Sequence, residues 1–150
     1  MKKKSLQGLL TVFIVFFSIS YAAAHCEIPC GIYDDEMRIT MINEHVTTME
    51  KSMKEIERLK RSKQVNHNQM TRWIMNKEYH AGELQKIVSQ YFLTQRIKFG
   101  DSGYEKKLTL LHKMLVYAMK CKQTTDLSHI SSLRSALKEF SDLYFGHHHK

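Results

Sequence analysis

Apolar residues recur at alternating intervals of three and four over much of the chain, and this spacing restricts the fold to packed helices. Such intervals place side chains on one face of an α-helix, because the helix completes a turn in about 3.6 residues. Helix breakers are rare, with 1 Pro and 6 Gly among 150 residues, so long helices are possible. The clearest run predicts an amphipathic helix over about 34–61, and its apolar members are Ile39, Ile42, Val46, Met49, Met53 and Ile56.

Three further stretches have the same spacing and predict three more helices. The second runs over about 66–97 and ends before a Gly-Asp-Ser-Gly turn. The third runs over about 104–120, and the fourth begins near a capping residue, Asp126 or Ser128. Because short connections join four amphipathic helices, we predict an all-α, antiparallel four-helix bundle over 34–145. We expect the apolar faces of the four helices to form the core. Those of the last three helices consist of Met70, Trp73, Ala81, Leu84, Val88 and Tyr91, of Leu108, Leu111, Leu115 and Ala118, and of Ile130, Leu133, Leu137, Phe140 and Tyr144.

Residues 1–24 have the features of a secretory signal peptide. Three lysines at 2–4 precede an apolar run, and Ala22 and Ala24 form the small-x-small pattern of a cleavage site. The apolar run is shorter than the roughly 20 residues that a membrane-spanning helix needs. Cleavage after Ala24 would make His25 the first residue, and the loss of three of the 23 basic residues would lower the formal charge from +8 to +5. We therefore expect processing by a signal peptidase, export to the periplasm or the exterior, and no stable membrane association afterwards.

The segment 25–33, HCEIPCGIY, contains two of the three cysteines and the only proline. A proline between Cys26 and Cys30 excludes a regular helix there and favours a tight turn that brings both sulfur atoms together. After cleavage, the imidazole and the α-amine of His25 could reach the same point. Thiolates combined with nitrogen donors in a small planar set suit Ni(II) or Cu(II). A disulfide in an oxidising compartment explains the same spacing, whereas a structural zinc site would lack a fourth ligand.

The same stretch, extended to HCEIPCGIYD at 25–34, carries a resemblance to a known family. Placed after a processing site and before an all-helical domain, it resembles the nickel-binding hook of nickel-containing superoxide dismutases, whose pattern is H-C-x-x-P-C-G-x-Y. All six specified residues are present in register, and the sequence SQYF at 89–92 resembles the second helix of that family. The resemblance implies an oxidoreductase over 25–150 that converts superoxide to dioxygen and hydrogen peroxide by Ni(II)/Ni(III) cycling.

The resemblance also implies which residues hold the metal, with one nickel ion in each subunit of a homohexamer. The ligands would be the α-amine and imidazole of His25, the backbone nitrogen and thiolate of Cys26, and the thiolate of Cys30. The His25 imidazole would be a catalytic axial ligand, and Tyr33 would be a catalytic residue that stands over the open axial face. Tyr91, within SQYF, would be a second tyrosine along the approach to the metal.

One part of the family's site has no unambiguous match in this chain. The family uses a Glu and an Arg to orient the axial imidazole. Glu44 is a candidate for the first, and His80 or Arg72 is a candidate for the second. Because such outer partners orient a metal ligand, the sequence predicts the identity of the axial imidazole better than its orientation.

The remaining features suggest no second activity. Cys121 is expected to be a small buried apolar residue, and the His-rich tail at 146–150 could chelate a transition metal but is expected to be an exposed end. Basic side chains alternate with acidic ones along the helices, as is typical of solvated faces. No basic patch is interleaved with the aromatic residues, so nucleic-acid binding is not expected.

Two other functions fit the composition. An exported helical binding protein closed by a disulfide between Cys26 and Cys30 would need no metal. A haem-binding exported bundle would use a Met and a His as axial ligands, but the sequence has no C-x-x-C-H for covalent attachment. The residual charge of +5 would attract a small anion such as superoxide, and an ordinary solvated surface explains that charge equally well.

Overall fold

The first predicted helix begins at a capped turn. In the computed structural model, which describes residues 31–146, helix α1 spans Asp35–Lys60. Asp34 caps it, with a carboxylate oxygen that accepts a hydrogen bond from the backbone N–H of Met37 at 2.9 Å. Acidic residues in the first turn and basic residues in the last turn complement the helix dipole. All six apolar residues of the predicted stripe are buried, so the prediction for this helix is confirmed.

Helix α2 spans His67–Lys86 and continues without a break into a π-helical segment at Ile87–Arg96, called the π segment below. Asn66 caps the start of α2 by accepting a hydrogen bond from the backbone N–H of Gln69 at 3.0 Å. The prediction of one long helix is therefore confirmed in extent. Its last ten residues, however, have a wider turn than an α-helix.

Hydrogen bonds that reach back five residues define the π segment. The backbone N–H of Ile97 donates to the carbonyl of Phe92 at 3.0 Å. The hydroxyl of Thr94 donates to the carbonyl of Ser89 at 2.7 Å, so a side chain completes part of the same pattern. Apolar spacing does not reveal this change, because a local widening of the helix leaves most buried positions apolar.

The last two helices agree with the sequence predictions. Helix α3 spans Tyr104–Gln123, three residues longer than predicted, and helix α4 spans Ser128–Phe145. Gly103 precedes α3 with a φ of 69°, a left-handed conformation that glycine adopts without strain. Before α4, a carboxylate oxygen of Asp126 accepts a hydrogen bond from the backbone N–H of Ser128 at 2.8 Å.

Neighbouring helices in the described part of the chain run antiparallel and form an all-helical bundle. Helix α1 packs mainly against α2, and α3 packs mainly against α4; α2 also contacts α3, and α1 contacts α4. Across residues 31–146, no helix has both the length and the apolar character that a membrane crossing requires. The antiparallel order is visible in cross-helix pairs, which are Asp35 with Arg96 and Ser52 with Asn76 between α1 and α2, and Lys106 with Glu139 and Tyr117 with His129 between α3 and α4.

The core lies between the apolar faces of the four helices. Phe92 and Phe140 are fully buried there, with ring centroids 5.1 Å apart in an edge-to-face arrangement. The first turns of α2 are an exception, because Met70 and Trp73 are only half-buried. The prediction of core positions at these two residues is wrong, since Trp73 lines an open groove between α1 and α2.

A buried lysine joins α2 to the end of α3. Lys77 is 4% exposed. Its ammonium group donates hydrogen bonds to the backbone carbonyl of Cys121 at 2.6 Å and to that of Lys122. It also pairs with the carboxylate of Glu78 at 3.0 Å. These carbonyls belong to the last turn of α3, where helical carbonyls lack intrahelical partners and a positive charge is favourable.

Candidate functional site

Three of the four predicted site residues, His25, Cys26 and Cys30, lie outside the described residues, and the fourth, Tyr33, lies inside them. The described chain begins at Gly31, which has a φ of 74°. Tyr33 follows two residues later, immediately before the first helical cap, and is 42% exposed. Tyr33 follows Cys30, the last predicted ligand, by three residues along the sequence.

The ring of Tyr33 contacts two side chains of the π segment. The ring of Tyr91 meets it in an edge-to-face arrangement, with ring centroids 5.9 Å apart and an interplanar angle of 64°. The guanidinium of Arg96 lies over it, with Cζ 4.3 Å from the ring centroid. The structure therefore brings together the two tyrosines predicted from sequence, and it adds Arg96, which sequence reasoning missed. Tyr91 itself is 3% exposed, so it supports Tyr33 from the protein interior.

Asp35, in the first turn of α1, accepts hydrogen bonds from three side chains of two other elements. The guanidinium of Arg96 donates to both carboxylate oxygens, with Nη2 2.7 Å from Oδ2 and Nε 2.9 Å from Oδ1. The hydroxyl of Tyr144, on α4, donates to Oδ2 at 2.7 Å, and the hydroxyl of Tyr91 donates to Oδ1. One carboxylate thus joins α1, the π segment and α4 beside the ring of Tyr33.

These contacts set the protonation states of the cluster. Burial acts to raise the pKa of Asp35, but the hydrogen bonds from Arg96, Tyr91 and Tyr144 outweigh it and hold that pKa below its ordinary value. Burial, assisted by the hydrogen bond to Asp35, raises the pKa of Tyr91 to about 12 and that of Tyr144 to about 12. At neutral pH the carboxylate is therefore charged, and both phenols keep the protons that they donate to it.

The π segment explains how Tyr91 and Arg96 reach the same carboxylate. Residues five apart in an α-helix point about 140° away from each other, because each residue turns the helix by about 100°. In a π-helix the wider turn returns to nearly the same side after five residues. The backbone N–H of Asp34 also donates to the hydroxyl of Tyr91 at 3.1 Å, which ties this tyrosine to the start of α1.

The charges around the two tyrosines are close to balanced. Arg38 lies over the ring of Tyr91, with Cζ 4.9 Å from the centroid, and adds a second positive charge beside that of Arg96. Asp34 and Asp35 supply two negative charges at the same place. The positive charge of the whole chain is therefore not concentrated at Tyr33.

The candidates for orienting the axial imidazole have other surroundings. His80 pairs with His45, on α1, with their Nδ1 atoms 2.8 Å apart. Burial lowers the pKa of His45, and the nearby charge of His80 lowers it further. Glu44 and Arg72 are exposed, and Arg72 lines the groove between α1 and α2. The structure thus brings none of the three into the cluster around Asp35.

Cys121, the third cysteine of the chain, is fully buried on α3, as predicted. Burial raises the pKa of its thiol to about 11, so it is a poor thiolate donor. Within 31–146, no group of three or more His, Cys, Asp and Glu side chains could hold a metal ion. The histidines at 147–149 lie outside the described residues.

Comparison with known proteins identifies one family. The model of the nickel-containing superoxide dismutase family matches residues 20–148, which is most of the chain. No curated protein matches the chain, and no solved structure matches it. The matched region includes the predicted hook at 25–33 and all four helices described above.

Proposed function

The chain belongs to the nickel-containing superoxide dismutase family, and we propose that its nickel is held at the N-terminus by His25, Cys26 and Cys30. Family membership makes the protein a nickel superoxide dismutase, an oxidoreductase whose cofactor is nickel and whose substrate is superoxide. The observation that carries the proposed ligand set is the pattern H-C-x-x-P-C-G-x-Y, which is complete at 25–33. The family match disfavours an exported binding protein with a disulfide or a haem.

The donor set fits the chemistry that this reaction requires of nickel. The N-terminal segment offers two thiols and an imidazole and, once residues 1–24 are removed, an α-amine. Anionic thiolates and a deprotonated backbone amide are strong donors, so they stabilise a higher oxidation state of the metal. Bound nickel would supply the Ni(II)/Ni(III) couple through which one superoxide is oxidised to dioxygen and the next is reduced to hydrogen peroxide.

Tyr33 lies on the substrate side of the proposed site. Its short covalent distance from Cys30 and its 42% exposure support this placement, and its hydroxyl would orient superoxide or a water by hydrogen bonding. Tyr91 has a different function, because its hydroxyl donates to Asp35 and its pKa is about 12. Tyr91 would hold the ring of Tyr33 and keep its own proton throughout the reaction.

Replacement of single cysteines tests the ligand set. In natively processed protein supplied with nickel, Cys26→Ser and Cys30→Ser are expected to lose stoichiometric nickel and superoxide turnover, because a serine hydroxyl is a poor ligand for nickel. Both variants should keep the helical circular dichroism. Cys121→Ser is the matched control and should keep nickel and turnover. Stoichiometric nickel in either N-terminal variant, or its absence from the wild type, would contradict the proposed site.

One extra residue before His25 tests the α-amine as a ligand. An added residue moves the amine away from the imidazole and turns the old amine into a peptide nitrogen, so activity should be lost while the helices remain. The control carries one extra residue after Lys150 and should be fully active. Full activity in the protein extended at its N-terminus would exclude the α-amine.

We also propose that residues 1–24 direct export to the periplasm or the exterior and that a signal peptidase removes them. The support is the order of charged, apolar and small residues in this stretch. Cleavage after Ala24 would create the α-amine that the proposed site needs. Intact-mass measurement of the exported protein should show His25 as the first residue, and a different first residue would refute this part of the proposal.

A homohexamer is proposed for the assembled protein. The described surface includes an exposed apolar patch on α2, with Ile74 41%, Met75 66% and Tyr79 60% exposed, and such patches often mark protein interfaces. Light scattering should give the mass of six subunits. Met75→Glu should reduce that mass, whereas Met119→Glu, at a separate exposed position on α3, should not. A wild-type monomer would refute the proposed assembly.

A further inference from the structure

Arg96 uses two different parts of its guanidinium in two contacts. The edge of the group faces Asp35, with Nη2 2.7 Å from Oδ2 and Nε 2.9 Å from Oδ1. The face of the group covers Tyr33, with Cζ 4.3 Å from the ring centroid. A guanidinium can make both contacts at once, because its donors lie in its plane and its stacking surface is perpendicular to them.

We propose that Arg96 is a positioning residue for Tyr33, clamped by Asp35 so that its face holds the Tyr33 ring at the substrate side of the nickel site. This inference rests on the proposed function of Tyr33. Tyr33 precedes α1 and is 42% exposed, so no helix holds its backbone and much of its ring borders solvent. Tyr91 contacts the ring at 5.9 Å between centroids, and Arg96 adds a contact over the ring face.

Several contacts hold the side chain of Arg96 in place. Its side chain is 25% exposed and its partner Asp35 is 15% exposed, so the ion pair is largely shielded from water. Asp35 is held in turn by the hydroxyls of Tyr91 and Tyr144. The π segment aligns Arg96 with Tyr91 on one side, and this alignment places the guanidinium above the tyrosine that precedes α1.

Attraction of superoxide by the charge of Arg96 is the competing explanation, and the local charges argue against it. Asp35 neutralises Arg96 directly. Arg38 lies over the ring of Tyr91, and Asp34 also contacts Tyr91, through its backbone N–H. A balanced cluster produces little long-range field. Arg96→Lys keeps this positive charge, so attraction predicts a wild-type rate in that variant, whereas positioning predicts a lower rate with the salt dependence of the wild type.

Fluorine NMR of metal-free protein tests the positioning directly. In protein labelled with 3-fluorotyrosine, the Tyr33 signal is assigned by its loss in Tyr33→Phe. Arg96→Met should move this signal towards the shift of a solvent-exposed fluorotyrosine. Arg96→Lys should move the Tyr33 signal as well, because a single ammonium group cannot bind both oxygens of Asp35 and also stack on the Tyr33 ring. The matched control is Arg134→Met, which removes another arginine that bridges to α1, through Glu50 at 2.9 Å, and should leave the signal in place.

Turnover of the nickel-loaded enzyme gives the second measurement. Arg96→Lys should lower kcat/KM for superoxide about two- to five-fold, the range expected for loss of one exposed cation–π contact, at every ionic strength, because it keeps the charge and loses the stacked contact. Arg134→Lys is the matched control and should have wild-type kcat/KM. Wild-type kcat/KM in Arg96→Lys would establish attraction by charge instead of positioning and overturn the proposal.

The two measurements separate failure of this inference from failure of the proposed function. An unmoved Tyr33 signal in Arg96→Met, or a wild-type signal in Arg96→Lys, would overturn the positioning by Arg96 whatever the activity. Wild-type turnover in Tyr33→Phe would instead refute the proposed function of Tyr33. If circular dichroism shows that the Arg96 variants do not fold, a measurement on the wild-type protein still tests the proposal. A nuclear Overhauser contact between the Arg96 Nε–H and the Tyr33 ring is expected there, and its absence would overturn the proposal.

Discussion

Asp35→Asn should destabilise the bundle more than any surface substitution, because one carboxylate receives donors from two other elements. Asparagine has nearly the same size, but it removes the charge and turns an NH2 group towards groups that are themselves donors. The carboxylate accepts two hydrogen bonds from Arg96 and one each from Tyr91 and Tyr144. No rotation of the amide can satisfy all of these donors.

The size of the effect follows from the burial of the ion pair. Removing one partner of a buried ion pair costs about 3–5 kcal/mol, and a hydrogen bond to a charged group contributes about 1.5–3 kcal/mol. The side chains of Asp35 and Arg96 are 15% and 25% exposed, so water compensates part of the loss. We therefore expect the free energy of unfolding to fall by about 2–3 kcal/mol, and the Tm to fall by about 5–10 °C.

The pH dependence gives this prediction a specific signature. The pKa of folded Asp35 lies below its ordinary value of 3.8, so its stabilisation is fully present above that value and is lost as the pH falls through the lower, folded-state value. Urea unfolding followed by circular dichroism, at one protein concentration, should show a constant difference between wild type and Asp35→Asn from about pH 5 to pH 8. The difference should shrink below pH 3.8.

Glu139→Gln is the control, because the pair of Glu139 with Lys106 is exposed, with side chains 48% and 59% accessible. Its unfolding curve should match that of the wild type. Two results would refute the reasoning about Asp35. One is a loss of stability no larger than that of the control, and the other is a difference that stays constant down to pH 2.

Three further substitutions and one chemical reaction test other parts of the fold. Lys77→Met should lower the free energy of unfolding by about 2–4 kcal/mol, measured by urea unfolding, because it leaves one buried and one partly buried carbonyl of α3 without their charged donor. An unchanged urea midpoint would contradict this. Gly103→Ala should lower the free energy of unfolding by about 1–2 kcal/mol, because φ is 69° and an added Cβ atom would lie 3.3 Å from a Leu143 methyl group. Gly82→Ala should instead raise the free energy of unfolding by up to about 1 kcal/mol, because Gly82 lies in a helix and an added Cβ atom would meet only a flexible lysine amine at 3.8 Å. The Cys121 thiol, fully buried and with a pKa of about 11, should resist iodoacetamide in the native protein and react on unfolding, as measured by peptide mass; rapid native alkylation would show that the site opens.

Sequence reasoning performed best where the relevant residues are close together along the chain. The stripe from Ile39 to Ile56 predicts α1 correctly because an amphipathic period of 3.6 is a local property. The same reasoning placed Met70 and Trp73 in the core and was wrong there, because helical spacing shows which face is apolar and does not show whether another helix covers it. Lys77 shows the converse, since a charged residue on the same helix is buried under the end of α3.

The candidate site also has one part that the local sequence predicts and another part that depends on how the helices pack. The predicted nickel ligands lie within six consecutive residues, so their spacing and donor chemistry can be interpreted without a fold. Tyr33 and Tyr91 were both named from short motifs, but nothing in those motifs says that their rings meet. Asp35 and Arg96 carry no signal of their own, because an acidic residue in the first turn of a helix and a basic residue in the last turn are ordinary helix features.

By itself, the sequence determined the helical architecture and supplied the pattern on which the proposed nickel site rests, because both depend on residues that are neighbours along the chain. Only the tertiary structure decided what surrounds Tyr33. Asp35 and Tyr144 are 109 residues apart, and they meet only because α1 and α4 pack side by side. The π segment matters as much, since only a turn wider than that of an α-helix aligns Arg96 with Tyr91 and places its guanidinium over the tyrosine beside the proposed nickel site.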